Sequence, residues 1–263
     1  MTDQVALSVV IPAHNCAALI GQTVTRLADR LSDRSAEIIV VENGSTDNTL
    51  ARCHELAETW RHPSVALVVT RSDKGMGNAL RAGIAGSRGS SVLLTADDLP
   101  FGFDDLDAAD QLAADGNQQL SPMIIGSKAH PQSDIRRGAG RNVLTSGFAI
   151  MRRWLLRSRV GDSQGTFVVD GDLIRGLVPR LSEPGFLFTT ELVHVAERSG
   201  VSPVEVPVRL SQDHRAHPSR ISMGDVARMG VGLLRLRWRH RRDAKEATLN
   251  LERDRGPRAR GAS

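Results

Sequence analysis

The 263-residue sequence contains no tyrosine and few other aromatic residues, with six phenylalanines and three tryptophans. Proteins that recognise single-stranded nucleic acid commonly stack the bases on aromatic side chains. The shortage of aromatic residues therefore argues against that class of protein, and we expect no nucleic-acid partner.

Cysteine is also scarce, since Cys16 and Cys53 are the two present. They form neither a disulfide framework nor a zinc-type spacing, which favours a reducing, cytoplasmic setting. The N-terminal residues lack a basic region followed by a long apolar core, and no apolar run approaches the roughly 20 residues that span a bilayer. We therefore expect a protein that is soluble or peripheral on the cytosolic face of a membrane.

The formal charge of +4 is distributed unevenly. Residues 1–227 hold 23 Lys and Arg against 26 Asp and Glu, whereas residues 228–263 hold 11 against 4. The length suits one main domain, to which we assign residues 1–212. Residues 213–242 would form a loop and a basic amphipathic helix, and residues 243–263 a disordered tail.

The basic segment alternates apolar side chains with arginine between Ile221 and Arg242, and it includes Trp238. Such a segment can lie in a membrane interface, where each basic residue near an anionic surface contributes about 1 kcal/mol. A helix packed on the main domain, with its arginines in water, is an equally favoured alternative.

Apolar runs alternate with helical patterns through the first hundred residues. The runs at residues 5–11, 37–41, 65–70 and 92–95 have the length and the β-branched content of buried strands. Apolar residues spaced by three and four follow the first run, and a second helical pattern follows the second run. This order predicts an α/β fold with a mainly parallel sheet.

Two acidic residues, Asp97 and Asp98, come directly after the last of these runs. Ligands bind at the carboxyl ends of strands in open α/β sheets. Carboxylates there can hold Mg²⁺ or Mn²⁺, which in turn bind the phosphates of a nucleotide. The alternative is that either Asp caps the following turn. Adjacent strand-end residues point to opposite sides, so both can reach one ion only if the chain turns right after Ala96.

The third run leads into a loop with two glycines, Lys74-Gly75-Met76-Gly77, ahead of an Ala- and Leu-rich helix. Glycines there let backbone N–H groups approach a phosphate, with Lys74 as a positive charge. Taken alone, the loop favours a simpler alternative, a turn with a solvated lysine. Polar or small residues follow all four predicted strands, and their convergence on one crevice is the stronger signal.

Segments from both halves of the chain form one set of motifs: Val9-Val10-Ile11-Pro12-Ala13-His14-Asn15, Glu42-Asn43-Gly44-Ser45-Thr46-Asp47, Lys74-Gly75-Met76-Gly77-Asn78, Thr95-Ala96-Asp97-Asp98-Leu99, Ile125-Gly126-Ser127-Lys128, Gly161-Asp162-Ser163-Gln164 and Gly185-Phe186-Leu187-Phe188-Thr189-Thr190-Glu191. Together they resemble the family 2 glycosyltransferases of the GT-A fold. Within that family they are most similar to the dolichyl- and polyprenyl-phosphate mannosyltransferases and glucosyltransferases. The resemblance implies a single Rossmann-like α/β domain.

The resemblance also implies a pocket for a nucleotide sugar, the donor. Pro12, His14 and Glu42 would lie against its base and ribose. The further donor-binding positions would be Ala13, Asn15, Gly44, Ser45, Lys74, Gly75, Gly77 and Asp97.

A metal site and an acceptor site follow from the same resemblance. Asp98 matches the last carboxylate of the family's Asp-X-Asp motif, so Asp98 with Asp97 would hold Mg²⁺ or Mn²⁺. Arg141 would hold the acceptor phosphate, with Lys128 and Arg137 beside it. The implied catalytic residues are thus Asp98, Arg141 and Lys128.

The sequence departs from the family pattern at several polar positions. Ala96 replaces the first carboxylate of Asp-X-Asp, Cys16 replaces a usual Glu, and Asn43 replaces a usual Asp. Pro100 stands where a polar residue often assists the metal, and Thr189 stands where an Asp is common.

The activity that the resemblance implies is an inverting transfer of a hexose from UDP-glucose or GDP-mannose to polyprenyl phosphate. A phosphate acceptor is already a nucleophile near neutral pH, so alignment and charge control can suffice without a general base. Transfer to a soluble phosphorylated acceptor is a second possibility. The departures from the pattern keep open a third, a non-catalytic relative that binds nucleotide or lipid.

Overall fold

The computed structural model describes residues 4–114, 121–134, 150–211 and 230–239. Seven strands in this part of the chain form one sheet. The strands are β1 Leu7–Ala13, β2 Ala36–Glu42, β3 Val65–Arg71, β4 Ser91–Leu94, β5 Met123–Ser127, β6 Thr166–Asp170 and β7 Val204–Pro207.

Helices connect most of the strands. They are α1 Ile20–Arg30, α2 Thr49–Thr59, α3 Met76–Gly86, α4 Asp104–Ala114, α5 Gly171–Leu177 and α6 Phe188–Arg198, and a 3₁₀ turn covers Val178–Arg180. In α1, Ile20, Val24 and Leu27 are fully buried. Their spacing of three and four residues places them on one helical stripe, which explains why the predicted helix forms against the sheet.

The strand order is β3-β2-β1-β4-β6-β5-β7. Strands β1 to β4 pair in parallel along this order, and β5 pairs in parallel with β7. Strand β6 runs antiparallel to both β4 and β5. The α/β fold with a mainly parallel sheet, expected from the GT-A resemblance, is confirmed. The antiparallel strand is the feature that the sequence pattern did not predict.

These strand directions gather several loops at one edge of the sheet. Strands β1 to β4 are parallel, so their carboxyl ends share that edge. Strand β5 runs in the same direction as β4, because β6 is antiparallel to both. The loop after β5 and the loop before β6 therefore reach the same edge, which we call the carboxyl edge.

The sheet is buried on both faces. In β1, Val10 belongs to the apolar cluster on one face, whereas Val9 and Ile11 belong to the cluster on the other. In β2, Ile39 and Ile38 divide between the same two clusters. A strand covered on both faces needs an uninterrupted apolar run, which is the pattern that the sequence shows.

A buried carboxylate stabilises the opposite edge of the sheet. Glu37 is 1% exposed, and its Oε1 accepts hydrogen bonds from Ser8 Oγ at 2.6 Å and from the backbone nitrogen of Arg88 at 2.7 Å. The Arg88 guanidinium donates to Oε2 at 2.7 Å. Glu37 thus joins β1, β2 and the loop before β4 far from the carboxyl edge.

The chain divides into two compact units, and residues 140–157 and 221–263 make up the second. In the described part of this unit, residues 150–156 and 230–239 are helical, and we call them the helical pair. Arg237 Nη1 donates to the carbonyl of Leu155 at 2.8 Å, which links the two helices. The predicted basic segment is helical at residues 230–239, and the rest of it, with the predicted tail at 243–263, lies outside the described residues. No helix in the described residues has both the length and the apolar character needed to cross a bilayer.

Candidate functional site

The four loops that follow β1 to β4 each contain a residue with a positive φ angle. These residues are Asn15 (φ 53°), Gly44 (φ 77°), Gly75 (φ 129°) and Leu99 (φ 43°). Positive φ is unfavourable for residues with a side chain, and it persists where surrounding contacts impose it, often at functional sites. The carboxyl edge is therefore the candidate site.

Asn15 joins the first loop to the second. Its carboxamide oxygen accepts a hydrogen bond from the backbone nitrogen of Thr46 at 2.8 Å, and its own backbone nitrogen donates to Ser45 Oγ at 3.1 Å. These two bonds account for the left-handed conformation of Asn15. The exposed residues His14 and Gly44 lie beside them in the two loops, so several predicted donor-binding residues are adjacent.

Residues at the start of α2 form hydrogen bonds with the backbone of the first loop. Asp47 accepts hydrogen bonds from the backbone nitrogens of Thr49 at 2.9 Å and Ala17 at 3.3 Å. Thr49 Oγ1 accepts from the backbone nitrogen of Cys16 at 2.8 Å. Cys16 and Cys53 are both buried, and burial raises the pKa of the Cys53 thiol to about 11.

Asn43 joins the second loop to the third. Its side-chain nitrogen donates to the carbonyl of Ala13 at 3.1 Å, and its Oδ1 accepts from the backbone nitrogen of Gly75 at 3.4 Å. A Cβ atom on Gly44 would lie 3.2 Å from the Cβ of Lys74. The Lys74 side chain is exposed, so its charge can reach a ligand bound over these loops.

Glu42, predicted to contact the nucleotide, holds the second loop through both of its carboxylate oxygens. Oε1 accepts a hydrogen bond from the backbone nitrogen of Ser45 at 2.6 Å, and Oε2 lies 3.3 Å from Arg71 Nε. Burial alone would raise the pKa of Glu42, but the hydrogen bonds from Ser45 and the pairing with Arg71 lower it overall. Its contact with a nucleotide stays a prediction.

The acidic residues after β4 lie in a tight turn. The backbone nitrogen of Leu99 donates to the carbonyl of Ala96 at 3.2 Å, which closes a four-residue turn directly after Ala96. This is the turn that Asp97 and Asp98 need if both are to reach one ion.

Asp97 ties the acidic turn to the first loop and to α1. Its backbone carbonyl accepts a hydrogen bond from the hydroxyl of Thr23 in α1. The first turn of α1 is in turn bound to the first loop, because the backbone nitrogen of Ile20 donates to the Cys16 carbonyl at 3.0 Å. Burial raises the pKa of Asp97, and the negative charge of Asp98 raises it further. The hydrogen bond from Thr23 completes a series of contacts that runs from the Lys74 loop through the second loop, the first loop and α1 to the acidic turn.

The acidic turn can supply part of a metal site. The described residues contain no group of three His, Cys, Asp or Glu side chains arranged around one cation position. Magnesium sites commonly use one or two carboxylates and complete the shell with water and substrate phosphates. Asp97 and Asp98 are neighbours in the turn that closes after Ala96, and carboxylate oxygens are the type of ligand that such a site for Mg²⁺ or Mn²⁺ uses.

Lys128, predicted to hold the acceptor phosphate, already has several partners. Its ammonium donates to the carbonyl of Gln164 at 2.6 Å and lies 3.1 Å from the Asp162 carboxylate. It also lies 5.2 Å from the ring centre of Phe101, beyond the acidic turn. Burial would raise the pKa of Asp162, but the charge of Lys128 and hydrogen bonds from backbone nitrogens lower it overall. A role for Lys128 toward phosphate stays a prediction.

Gly75 and Gly77 were predicted to let backbone N–H groups approach a phosphate, but the structure gives a different reason for glycine at these two positions. The backbone nitrogen of Gly77 donates to the carbonyl of Pro184 at 2.9 Å, so this N–H group is used within the protein. A Cβ on Gly75 would lie 2.3 Å from the Pro184 oxygen, and one on Gly77 would lie 2.2 Å from the Glu183 oxygen. Close packing of two backbone segments requires both glycines.

The other predicted residues are less informative. Pro12 and Ala13 end β1, and the Ala13 side chain is buried while its carbonyl accepts from Asn43. Arg137 and Arg141, the further predicted phosphate ligands, lie outside the described residues. In the sequence Asn43 is a departure from the family pattern, and its bridging role between the loops was not predicted. A polar residue directly after a buried strand is the signal that could have revealed it.

Residues 8–157, more than half of the chain, match the family described as Glycosyl transferase family 2. The chain belongs to this family. The protein is therefore a glycosyltransferase, as the motifs suggested, and its fold is the GT-A fold. Its relatives include the dolichyl-phosphate beta-glucosyltransferase of Dictyostelium discoideum, which is 24% identical over 90% of this chain and 76% of that protein. The enzymes of the same name from Saccharomyces cerevisiae and Homo sapiens are 26% and 25% identical, each over 89% of this chain and 75% of theirs.

Solved structures similar to this glycosyltransferase include glucosyl-3-phosphoglycerate synthase from Mycobacterium tuberculosis. The complex of that enzyme with Mn²⁺, UDP-glucose and phosphoglyceric acid has a TM-score of 0.60 and 20% identity, over 88% of this chain and 78% of that chain. Its complex with Mg²⁺ and UDP has a TM-score of 0.59 and 18% identity. At this identity the likeness establishes the fold alone.

Proposed function

We propose that this glycosyltransferase moves glucose from UDP-glucose to a polyprenyl phosphate and inverts the anomeric configuration. The observation that carries the proposal is the series of hydrogen bonds that joins the Lys74 loop to the Asp97 and Asp98 turn along the carboxyl edge. In the proposed site Lys74 would supply a basic group and Asp97 with Asp98 an acidic pair, as a nucleoside diphosphate and a cation require. Relatives that match about nine tenths of this chain are named as glucosyltransferases, which supports the choice of glucose.

The reaction requires alignment more than acid or base chemistry. An oxygen of the acceptor phosphate forms a bond to the anomeric carbon while the bond from that carbon to the diphosphate breaks, and UDP leaves with the electron pair. The acceptor oxygen carries no proton that must be removed, so no general base is needed. The protein has to hold two phosphate-bearing substrates in line and balance their negative charge.

The donor would lie over the first three loops. His14 and Glu42 would face its base and ribose, and Lys74 would face its phosphates. Asp98, with Asp97, would hold Mg²⁺ or Mn²⁺ at the other end of the site. When bound there, the cation would neutralise charge that develops on the leaving diphosphate.

The acceptor phosphate would be held by basic residues. Arg141 and Arg137 are the candidates taken from the family resemblance. Lys128 is the third, and it would have to share its ammonium group with Asp162. An arginine can hold a phosphate through two parallel hydrogen bonds, which a lysine cannot do.

The helical pair supports a membrane location for the acceptor. It exposes large apolar side chains: Ile150, Trp154, Val231, Leu234 and Trp238. Trp154 is 80% exposed and Trp238 is 72% exposed. The stretches 150–157 and 230–239 contain six arginines, of which Arg152 is buried, and no acidic residue. Tryptophan favours the interface of a bilayer and arginine favours anionic lipid, so this surface fits an anionic membrane better than a second, equally basic copy of the chain.

A donor and acceptor screen tests the reaction. The purified protein is incubated with Mn²⁺, polyprenyl phosphate in detergent, and either UDP-glucose or GDP-mannose labelled in the sugar. We expect label from UDP-glucose to enter the organic phase. Water-soluble labelled product would indicate a soluble phosphorylated acceptor. Nucleotide binding in calorimetry without any transfer would support a non-catalytic relative and would overturn the proposal.

Vesicle sedimentation tests the membrane surface. We expect the full chain to bind vesicles that contain phosphatidylglycerol and to bind pure phosphatidylcholine weakly. The double variant Trp154→Ala with Trp238→Ala should bind at least about tenfold more weakly, because it removes both exposed indoles of the helical pair. Phe186→Ala is the matched control, since Phe186 is 71% exposed outside the helical pair. Equal loss in both variants would contradict the assignment.

A further inference from the structure

One buried carboxylate outside the predicted site holds a short loop in place. Glu191 lies in the first turn of α6, and its side chain is completely buried. Its Oε2 accepts hydrogen bonds from the backbone nitrogens of Ser182 and Glu183, both at 2.8 Å. Its Oε1 accepts from Ser182 Oγ at 3.3 Å. Three hydrogen bonds from adjacent residues of one loop meet on this carboxylate, so Glu191 fixes the position of the loop.

The same loop packs directly against the start of α3. The carbonyl of Pro184 accepts hydrogen bonds from the backbone nitrogens of Gly77 at 2.9 Å and Asn78 at 3.2 Å. The carbonyl of Glu183 accepts from Arg81 Nη2 at 3.2 Å. The first N–H groups of a helix have no partner within it, and here the loop supplies that partner.

The contact between the loop and α3 leaves no room for adjustment. A single Cβ on Gly75 or Gly77 would come within 2.3 Å or 2.2 Å of a carbonyl oxygen of the loop. Both partners are backbone, which cannot rotate away as a flexible side chain can. A displacement of the loop is therefore passed on to Gly75 and to Lys74 directly before it.

We infer that Glu191 is a positioning residue for the donor site, which acts through residues 182–184 on the turn that carries Lys74. The inference rests on the proposed function, in which Lys74 faces the donor phosphates. Glu191 itself touches neither substrate in this scheme. Its removal should therefore weaken the use of the donor and leave the use of the acceptor unchanged.

The test compares Glu191→Gln with Glu37→Gln. A glutamine at either position has one oxygen acceptor and a nitrogen that faces N–H donors, so both variants should lose stability. Glu37 is matched to Glu191 in burial and in its backbone N–H partner, but it lies at the opposite edge of the sheet. For Glu191→Gln we expect a KM for UDP-glucose raised by about tenfold, below the roughly 100-fold that a 1 Å displacement can cost. The KM for polyprenyl phosphate should not change in either variant.

Hydrogen exchange provides a readout that does not depend on activity. Amides of residues 74–78 should exchange about tenfold faster in Glu191→Gln than in the parent protein, because release of the 182–184 loop removes the partner of the Gly77 and Asn78 amides and loosens the turn before them. They should be unaffected in Glu37→Gln. This measurement remains valid if the protein transfers no glucose, so failure of the proposed function and failure of the inference can be distinguished.

Two outcomes would overturn the inference. One is an equal change in donor KM and in exchange at 74–78 for both variants, which would indicate general destabilisation. The other is faster exchange at 182–184 without any change at 74–78. If Glu191→Gln does not fold, Ser182→Ala removes the hydroxyl donor to Oε1 and keeps the backbone donor to Oε2, and the same exchange comparison applies to it.

Discussion

Asn43 Oδ1 lies 3.4 Å from the backbone nitrogen of Gly75, and the side-chain nitrogen of the same residue donates to Ala13. Asn43 is only 3% exposed, and aspartate has no N–H group to offer in its place. In Asn43→Asp a carboxylate oxygen would face the Ala13 carbonyl. We therefore expect the free energy of unfolding to fall by about 1 to 3 kcal/mol in urea denaturation.

The control for this prediction is Asn48→Asp, because Asn48 is exposed and its side chain makes no capping hydrogen bond at the start of α2. Aspartate is as good as asparagine at such a position, so stability should be unchanged. If Asn43→Asp were as stable as this control, the bridging role of the carboxamide would be incorrect.

The second prediction concerns the packing of α3. Gly77→Ala would place a methyl group 2.2 Å from the Glu183 oxygen and 2.8 Å from Phe188 Cβ, so it should cost at least about 2 kcal/mol of stability. Gly86→Ala, at the other end of the same helix, meets nothing within 4 Å. It should be neutral or stabilising by about 0.5 to 1 kcal/mol. Thermal unfolding of the two variants measures the contrast, and a similar midpoint for both would contradict it.

The third prediction concerns the metal. Asp98→Asn should lower the transfer rate by about 100-fold or more, because it removes a charged ligand from the acidic turn. A chelator should abolish activity, and Mn²⁺ should restore it in the parent protein. Asp172→Asn is the control, since Asp172 has a 98% exposed side chain on α5. Transfer that survives in Asp98→Asn would show that the metal assignment is wrong.

The fourth prediction concerns the pH dependence of stability. Burial raises the pKa of Glu37, but the hydrogen bonds from Ser8 and Arg88 outweigh it and place the pKa below its ordinary value of 4.5. A lowered pKa in the folded state means that Glu37 stabilises the fold above pH 4.5 and that this contribution is lost as the pH falls further.

Glu37→Gln should accordingly be less stable than the parent protein at pH 7, and the difference should shrink as the pH is lowered toward 3. Denaturant unfolding of both proteins at several pH values measures this difference in stability. A difference that stays constant with pH would show that the ionised carboxylate is not the source of the stability.

Local patterns in the sequence predicted much of the fold. The apolar runs at 37–41 and 65–70 became β2 and β3 with changes of one residue at each end or fewer. The antiparallel pairing of strand β6 was not predicted, because the residue pattern of a five-residue strand does not indicate in which direction it pairs. That direction is set by the strands on either side of it.

The candidate site was predictable in part for a similar reason. Asp97 and Asp98 stand directly after a strand, so their place at the carboxyl edge followed from the strand pattern. The partners of Lys128 did not follow, because Asp162 and Gln164 are more than thirty residues away in the chain. The link from Glu191 to Gly77 passes through a loop without regular structure, and spacing in the sequence gives no sign of it.

The burial of both cysteines has a practical consequence. Cys16 is 4% exposed and Cys53 is completely buried, so alkylating reagents cannot reach either sulfur while the protein is folded. A cysteine introduced at an exposed loop position would then be the single site for a fluorophore or a spin label. The movement of the donor loops during turnover can thus be followed spectroscopically without first removing the native thiols.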